Sequence, residues 1–210
     1  MEKENRKDVR HTVACELRYL RAENGAPAKW VGTPIVYDAM SEPLNSYRFG
    51  QFREVIKPGA ASGILARGDD VRAVVNHDPT QVLGRVGAGT LKLREDDKGV
   101  HMELTPADTS YARDLAANKD AGNVLGMSFS FELPEDDAGN QLGVTMSKAD
   151  NGDTIRTISK FARIHEVSIL SGLDPAYPQT SVSMRTEKSL EAALVNPSET
   201  ERRQRLLALM

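Results

Sequence analysis

The chain has 210 residues, 40% of them hydrophobic and 27% charged, which is enough material for one core of ordinary size plus tails. A formal charge of -3 and a pI near 5.9 give no general attraction to phosphate backbones or anionic membranes, so neither nucleic acid nor membrane is an expected partner. A single cysteine, Cys15, excludes an internal disulfide framework and a cysteine-rich zinc site, and the charged start MEKENRKDVR leads into no apolar stretch of signal-peptide or membrane-span length. The expectation is a soluble chain made in a reducing cytoplasm.

In chain order, residues 12–21 (TVACELRYLR) alternate Val13, Cys15, Leu17 and Tyr19 with polar neighbours, the period-two pattern of a half-buried strand. Cys15 reads there as a small core residue and Trp30 as packing. KWVGTPIVYD, QFREVI, RAVVN, TLKLRE, GVHMELT, NVLGMSFSFEL, LGVTMS and TIRTISKFARIHEVSIL also favour strands. REDDKGV and KADNGDT read as hairpin connections, because Asp-Lys-Gly and Asn-Gly accept the positive φ of tight turns. One helix is predicted in TPADTSYARDLAAN, with Thr105 as N-cap, Pro106 at the first helical position, Asp108 in the first turn, Tyr111 and Leu115 on one buried face, and Asn118 and Gly122 at its end. The predicted organisation is a charged N-terminal tail at 1–10, one domain at 11–185, and a charged, mildly amphipathic tail at 186–210 broken by Pro197. The fold class is mainly β with helices, α+β.

The chemistry centres on GMSFSF, residues 126–131. As a strand it sends Ser128, Ser130 and Glu132 to one face and Met127, Phe129, Phe131 and Leu133 to the other, so Ser128 is expected to open onto a surface or groove with rigid apolar backing. The plain reading is the polar face of an ordinary strand; the functional reading is a nucleophile, and a serine is inert without a base.

Of four histidines, His77 follows an apolar strand and precedes an Asp-Pro turn, where a side chain reaches a cleft. The plain alternative is a loop histidine bonded to local backbone, with Asp78 forming a turn. His101 alternates with Val100 and Met102 as a cross-strand residue, and His11 has no evident partner. The acidic runs REDD and PEDDAGN lack the spacing of a calcium loop, and GRVGAG lacks the strand-loop-helix context of a phosphate site, so no metal and no cofactor are expected.

Four blocks in register carry a resemblance: GTPIVYDAMSEPL with FREVIKPGA, VVNHDPTQVLGRVGAGTLKL, GMSFSF, and HEVSILSGLDPAYPQT. Together they resemble the prohead maturation serine proteases of tailed bacteriophages, a family related in fold to the herpesvirus assemblins, over about residues 10 to 185. His77 precedes Ser128 by 51 positions (128 − 77), the order and approximate separation of the family's base and nucleophile.

The resemblance implies a compact β-barrel-like protease domain and a serine endopeptidase in which Ser128 is the nucleophile, His77 the base and Glu166 the group that orients the imidazole. His165 is the alternative third member, since the herpesvirus relatives use a second histidine. Strand alternation places His165 and Glu166 on opposite sides, so one of them faces the site. The Ser171-Gly172 turn is a weak candidate for the oxyanion hole, with turn geometry as the plain reason for Gly172.

The implied substrates are the scaffolding protein or the scaffold-like N-terminal region of the major capsid protein. The implied location is the host cytoplasm and then the prohead interior, with activity held back until packaging, self-association as a possible trigger, and the 186–210 tail as an encapsidation contact or autocleavage site. The alternatives are a non-catalytic prohead assembly factor that binds scaffold or coat protein, and a soluble β binding module unrelated to phages.

Overall fold

The computed structural model of the chain describes residues 9–13, 17–22, 27–46 and 50–172. Cys15 and the two expected tails, apart from residues 9 and 10, lie outside them. Among these described residues, thirteen strands form three sheets. The strands are β1 (Val9–Val13), β2 (Leu17–Leu20), β3 (Lys29–Val36), β4 (Leu44–Ser46), β5 (Gly50–Ile56), β6 (Arg72–Val75), β7 (Asp78–Arg85), β8 (Leu91–Glu95), β9 (Gly99–Leu104), β10 (Val124–Glu132), β11 (Val144–Lys148), β12 (Thr154–Ile158) and β13 (Arg163–Ser171). Two helices interrupt them, α1 (Ser62–Arg67) and α2 (Ser110–Asp120).

The main sheet runs β1-β10-β13-β6-β7, antiparallel except where β13 and β6 lie parallel. A second sheet, β2-β3-β9-β8, is antiparallel throughout, and a third, β11-β12-β5-β4, has one parallel pair between β12 and β5. Each sheet ends in two distinct edge strands, so the α+β class holds but the sheets are not closed into a barrel. Period-two patterning specifies which face of a strand is buried; it carries no information on whether the outer strands meet.

The core lies between the main sheet and the second sheet. Met127, Phe129 and Phe131 of β10, Val167 and Ile169 of β13 and Ala73 and Val75 of β6 pack into one cluster with Trp30, Ile35, Met102 and Leu104. Phe161 joins it with its ring centroid 4.6 Å from that of Phe131. Pro34 sits inside β3 at an irregularity in the β3/β9 register between Gly32 and Ile35, where a missing N–H leaves no ladder bond unmade. The third sheet buries an ion pair between Arg156 and Glu54, with the guanidinium 4.7 Å from the centroid of the Phe52 ring.

Several elements differ from expectation. Residues 154–170 are two strands, because Ser159 to Ala162 leave the ladder and turn Phe161 into the core. The six-residue α1 has no side-chain cap and was not legible. Asp78-Pro79 is not a turn: the chain reverses at Asn76-His77, and Asp78 begins β7. The α2 cap is Thr109, in extended geometry with Oγ1 accepting from the Ala112 amide at 3.3 Å, rather than Thr105. Both threonines precede plausible first turns, but the Thr105 amide is bonded to the Thr90 carbonyl and holds that residue beside β8. Leu115 is buried as expected, and α2 leads directly into β10. Thr109→Ala is expected to lower the unfolding free energy from urea denaturation by about 1 kcal/mol, and Thr105→Ala by a few tenths at most.

Candidate active site

The candidate site occupies the face of the main sheet opposite the core. Ser128 of β10 lies directly across from Ser168 of β13, and Ser168 lies across from Val74 of β6. Ser130 is likewise across from Glu166. Ser128 and Ser168 expose none of their surface and Ser130 only 3%. Ser128 therefore does not open onto a surface or groove, contrary to the expectation from alternation. Alternation reports that two faces differ in polarity; it does not report that the polar face meets solvent, and here Val74 and Leu170 on the same side are also buried.

His77 reaches this face through a tight turn. Val75 pairs with Asp78, leaving Asn76 and His77 as a two-residue hairpin loop with φ of 49° and 60°. Positive φ at both central positions is the signature of the type I′ hairpin, where asparagine is at home in the first position and glycine is usual in the second. A histidine there costs on the order of 1 kcal/mol in backbone strain, so the surrounding structure must hold it.

That hold comes from β13. The Asn76 amide donates to the Ile169 carbonyl at 3.0 Å, its Nδ2 donates to the Ser171 carbonyl at 3.0 Å, and its Oδ1 accepts from the Ser171 amide at 2.8 Å. The side chain of Asn76 thus continues the parallel β6/β13 pairing one step past the last residue of β6.

So placed, His77 Nδ1 lies 2.6 Å from Glu166 Oε1, across 89 positions of sequence. The two side chains are 7% and 14% exposed. A proton on Nδ1 shared with the carboxylate leaves Nε2 with its lone pair, the tautomer a general base needs. Nε2 is itself buried and has no hydrogen-bond partner among the described residues. Ser128 lies one strand beyond the Ser168 that touches His77. Asp78, next to His77, is engaged locally: the Thr80 hydroxyl and amide and Gln81 donate to its carboxylate and hold it below the usual carboxylate range.

His165 and Glu166 are not separated by simple alternation. Ser130 pairs with Glu166 and Phe131 with Ile164, so His165 is the extra residue of a β-bulge. Ile164 and Val167 both enter the core, which leaves His165 and Glu166 together on the other side. Their partners distinguish them: His165 Nε2 lies 2.9 Å from Glu132 Oε1, whereas Glu166 meets His77.

The Ser171-Gly172 amides are both engaged, Ser171 by Asn76 and Gly172 by the Asn123 carbonyl at 3.0 Å, so neither is available as an oxyanion donor as the chain stands. Gly172 has φ of 73°, which accounts for glycine at that turn. His101 bridges Thr33 and Asp96 on β9, and His11 lies on β1 across from Phe129. No cluster of three or more His, Cys, Asp or Glu side chains suited to a metal occurs among the described residues, and no helix among them is long and apolar enough to cross a membrane.

Sequence reasoning missed Asn76 and Ser168. The dipeptide Asn-His gave a signal for the first, since asparagine before a second polar residue between two apolar runs is a hairpin pattern.

A family model described as caudovirus prohead serine protease matches residues 21–194. No curated protein and no solved structure matches the chain.

Asn76→Ala removes two side-chain bonds to Ser171 and the residue's tolerance of positive φ. It is expected to lower stability by about 2 kcal/mol in urea denaturation, and Asn76→Gly, which keeps the φ, by less.

Proposed function

The chain belongs to the caudovirus prohead serine proteases, and from that membership we propose that it cleaves the scaffolding protein or the scaffold-like N-terminal region of the major capsid protein, using Ser128, His77 and Glu166. Membership supports a serine peptidase of capsid maturation acting in the prohead, and weighs against a β binding module unrelated to phages.

The observation that carries the residue assignment is the part-buried His77–Glu166 contact at 2.6 Å, with the far imidazole nitrogen unpartnered among the described residues. In the proposed cycle, Nε2 takes the Ser128 proton as Oγ attacks the peptide carbonyl, and Glu166 stabilises the imidazolium that forms. The imidazolium then protonates the departing amine, leaving an acyl-serine that water hydrolyses by the same relay. Glu166 suits this role because a part-buried carboxylate gains from a charged or hydrogen-bonded partner that offsets its desolvation, and the imidazole supplies one.

The enclosure of Ser128 supports a latent state. A peptide cannot reach a hydroxyl that exposes none of its surface, so catalysis requires this face to open. Latency suits a protease synthesised in the host cytoplasm, because cleaving unassembled subunits would abort assembly. High local concentration inside a shell, of substrate or of the protease itself, favours any opened form that binds them. The same enclosure is what favours a second reading, a non-catalytic assembly factor that binds scaffold or coat protein.

Co-expression with the candidate capsid subunit and scaffold separates the two readings, with processing read by mass spectrometry of the particles. Ser128→Ala and His77→Ala are each expected to lower processing by at least about 10³-fold while particles still assemble, and unchanged processing in both would leave the assembly-factor reading. Glu166→Gln is expected to cost about 10²-fold or more and His165→Ala less than about tenfold, so the opposite ranking would transfer the orienting role to His165.

A further inference from the structure

Ser168 lies wholly buried in the middle of β13, between Ser128 on one neighbouring strand and Val74 on the other. A hydroxyl in such a place costs free energy unless it is bonded. Its oxygen accepts the His77 backbone N–H at 2.8 Å, and it lies 3.5 Å from the Val74 carbonyl, to which it can donate only weakly.

The His77 N–H needs this acceptor. In a two-residue hairpin the loop amides have no partner in the ladder, and this one belongs to a residue folded back over a buried face. Glu166 is two positions before Ser168 on the same strand, so both side chains rise from one face about 7 Å apart. β13 thus grips His77 at two points, the backbone through Ser168 and the ring through Glu166. One point alone leaves the residue free to pivot about the other, whereas two fix the ring's direction as well as its position.

We infer that Ser168 is a positioning residue: its hydroxyl pins the left-handed backbone of His77, so that Nδ1 meets Glu166 and Nε2 is held in line for proton transfer. The inference rests on the reading of His77 as the general base, and it assigns Ser168 no contact with substrate.

Three replacements separate hydrogen bonding from space filling. Ser168→Ala removes the acceptor, Ser168→Cys keeps the volume but offers only a weak sulfur acceptor, and Ser168→Thr keeps the hydroxyl. Each is compared with wild type and His77→Ala by capsid-subunit processing on co-expression and by the low-field proton NMR resonance of the His77 Nδ1–H, assigned by its loss in His77→Ala. Ser168→Ala and Ser168→Cys are expected to slow processing on the order of 100-fold, the cost of about an ångström of misalignment, and to broaden or abolish the resonance. Ser168→Thr is expected to retain both. Where Ser168→Ala does not fold, Ser168→Cys carries the comparison.

Wild-type processing and an intact resonance in Ser168→Ala and Ser168→Cys, alongside an inactive His77→Ala, would overturn the role of Ser168 and leave the base assignment standing. Wild-type processing in His77→Ala would overturn both together.

Discussion

The candidate site depends on a backbone constraint: two consecutive non-glycine residues, Asn76 and His77, are held with positive φ at the tip of the β6–β7 hairpin. Left to local preference that turn would relax, because a histidine gains nothing from the left-handed region by itself. It persists because β13 offers partners to both residues, the Ile169 carbonyl and the Ser171 backbone to Asn76, and the Ser168 hydroxyl to His77. The imidazole is consequently aimed by a strand rather than by a loop, and strands hold side chains with the precision that proton transfer requires. Strain of this kind is common where geometry matters more than local stability.

The same sheet explains why a polar face can be buried at low cost. β10 and β13 set hydroxyl against hydroxyl and hydroxyl against carboxylate, Ser128 with Ser168 and Ser130 with Glu166. The reverse sides of these strands form the apolar core, where Phe129 and Phe131 lock the backbone by packing. Polar groups in a rigid, dry setting interact strongly, and an unpartnered one is correspondingly expensive. Nε2 of His77, which has no partner among the described residues, is therefore a group in want of one, as the proposed opening of the site would require.

Sheet closure would have produced another molecule. A closed barrel has no edges, whereas β1 and β7 here end the main sheet. The hairpin carrying His77 is an edge element anchored on one side by the parallel pairing of β6 to β13. That arrangement lets a turn fold over the sheet face without displacing a neighbouring strand. The bulge at His165 belongs to the same economy of shape: one extra residue in β13 keeps Ile164 and Val167 in the core while Glu166 remains opposite Ser130.

Local chemistry was enough to read much of this from the chain. Alternation of apolar and polar residues marked most strands, Asp-Lys-Gly and Asn-Gly marked two hairpins, and the spacing of His77, Ser128 and the HEVS block marked a protease family that the family match supports. Other features depend on contacts between distant segments and had no local signature. These include the open sheets, the choice of Thr109 over Thr105 as a cap, the bulge at His165, and the enclosure of Ser128. Sequence periodicity fixes which side of a strand is apolar because that is a property of neighbouring residues. Which strands lie side by side, and what covers a polar face, is decided by the packing of residues far apart in the chain, and only the tertiary structure contains it.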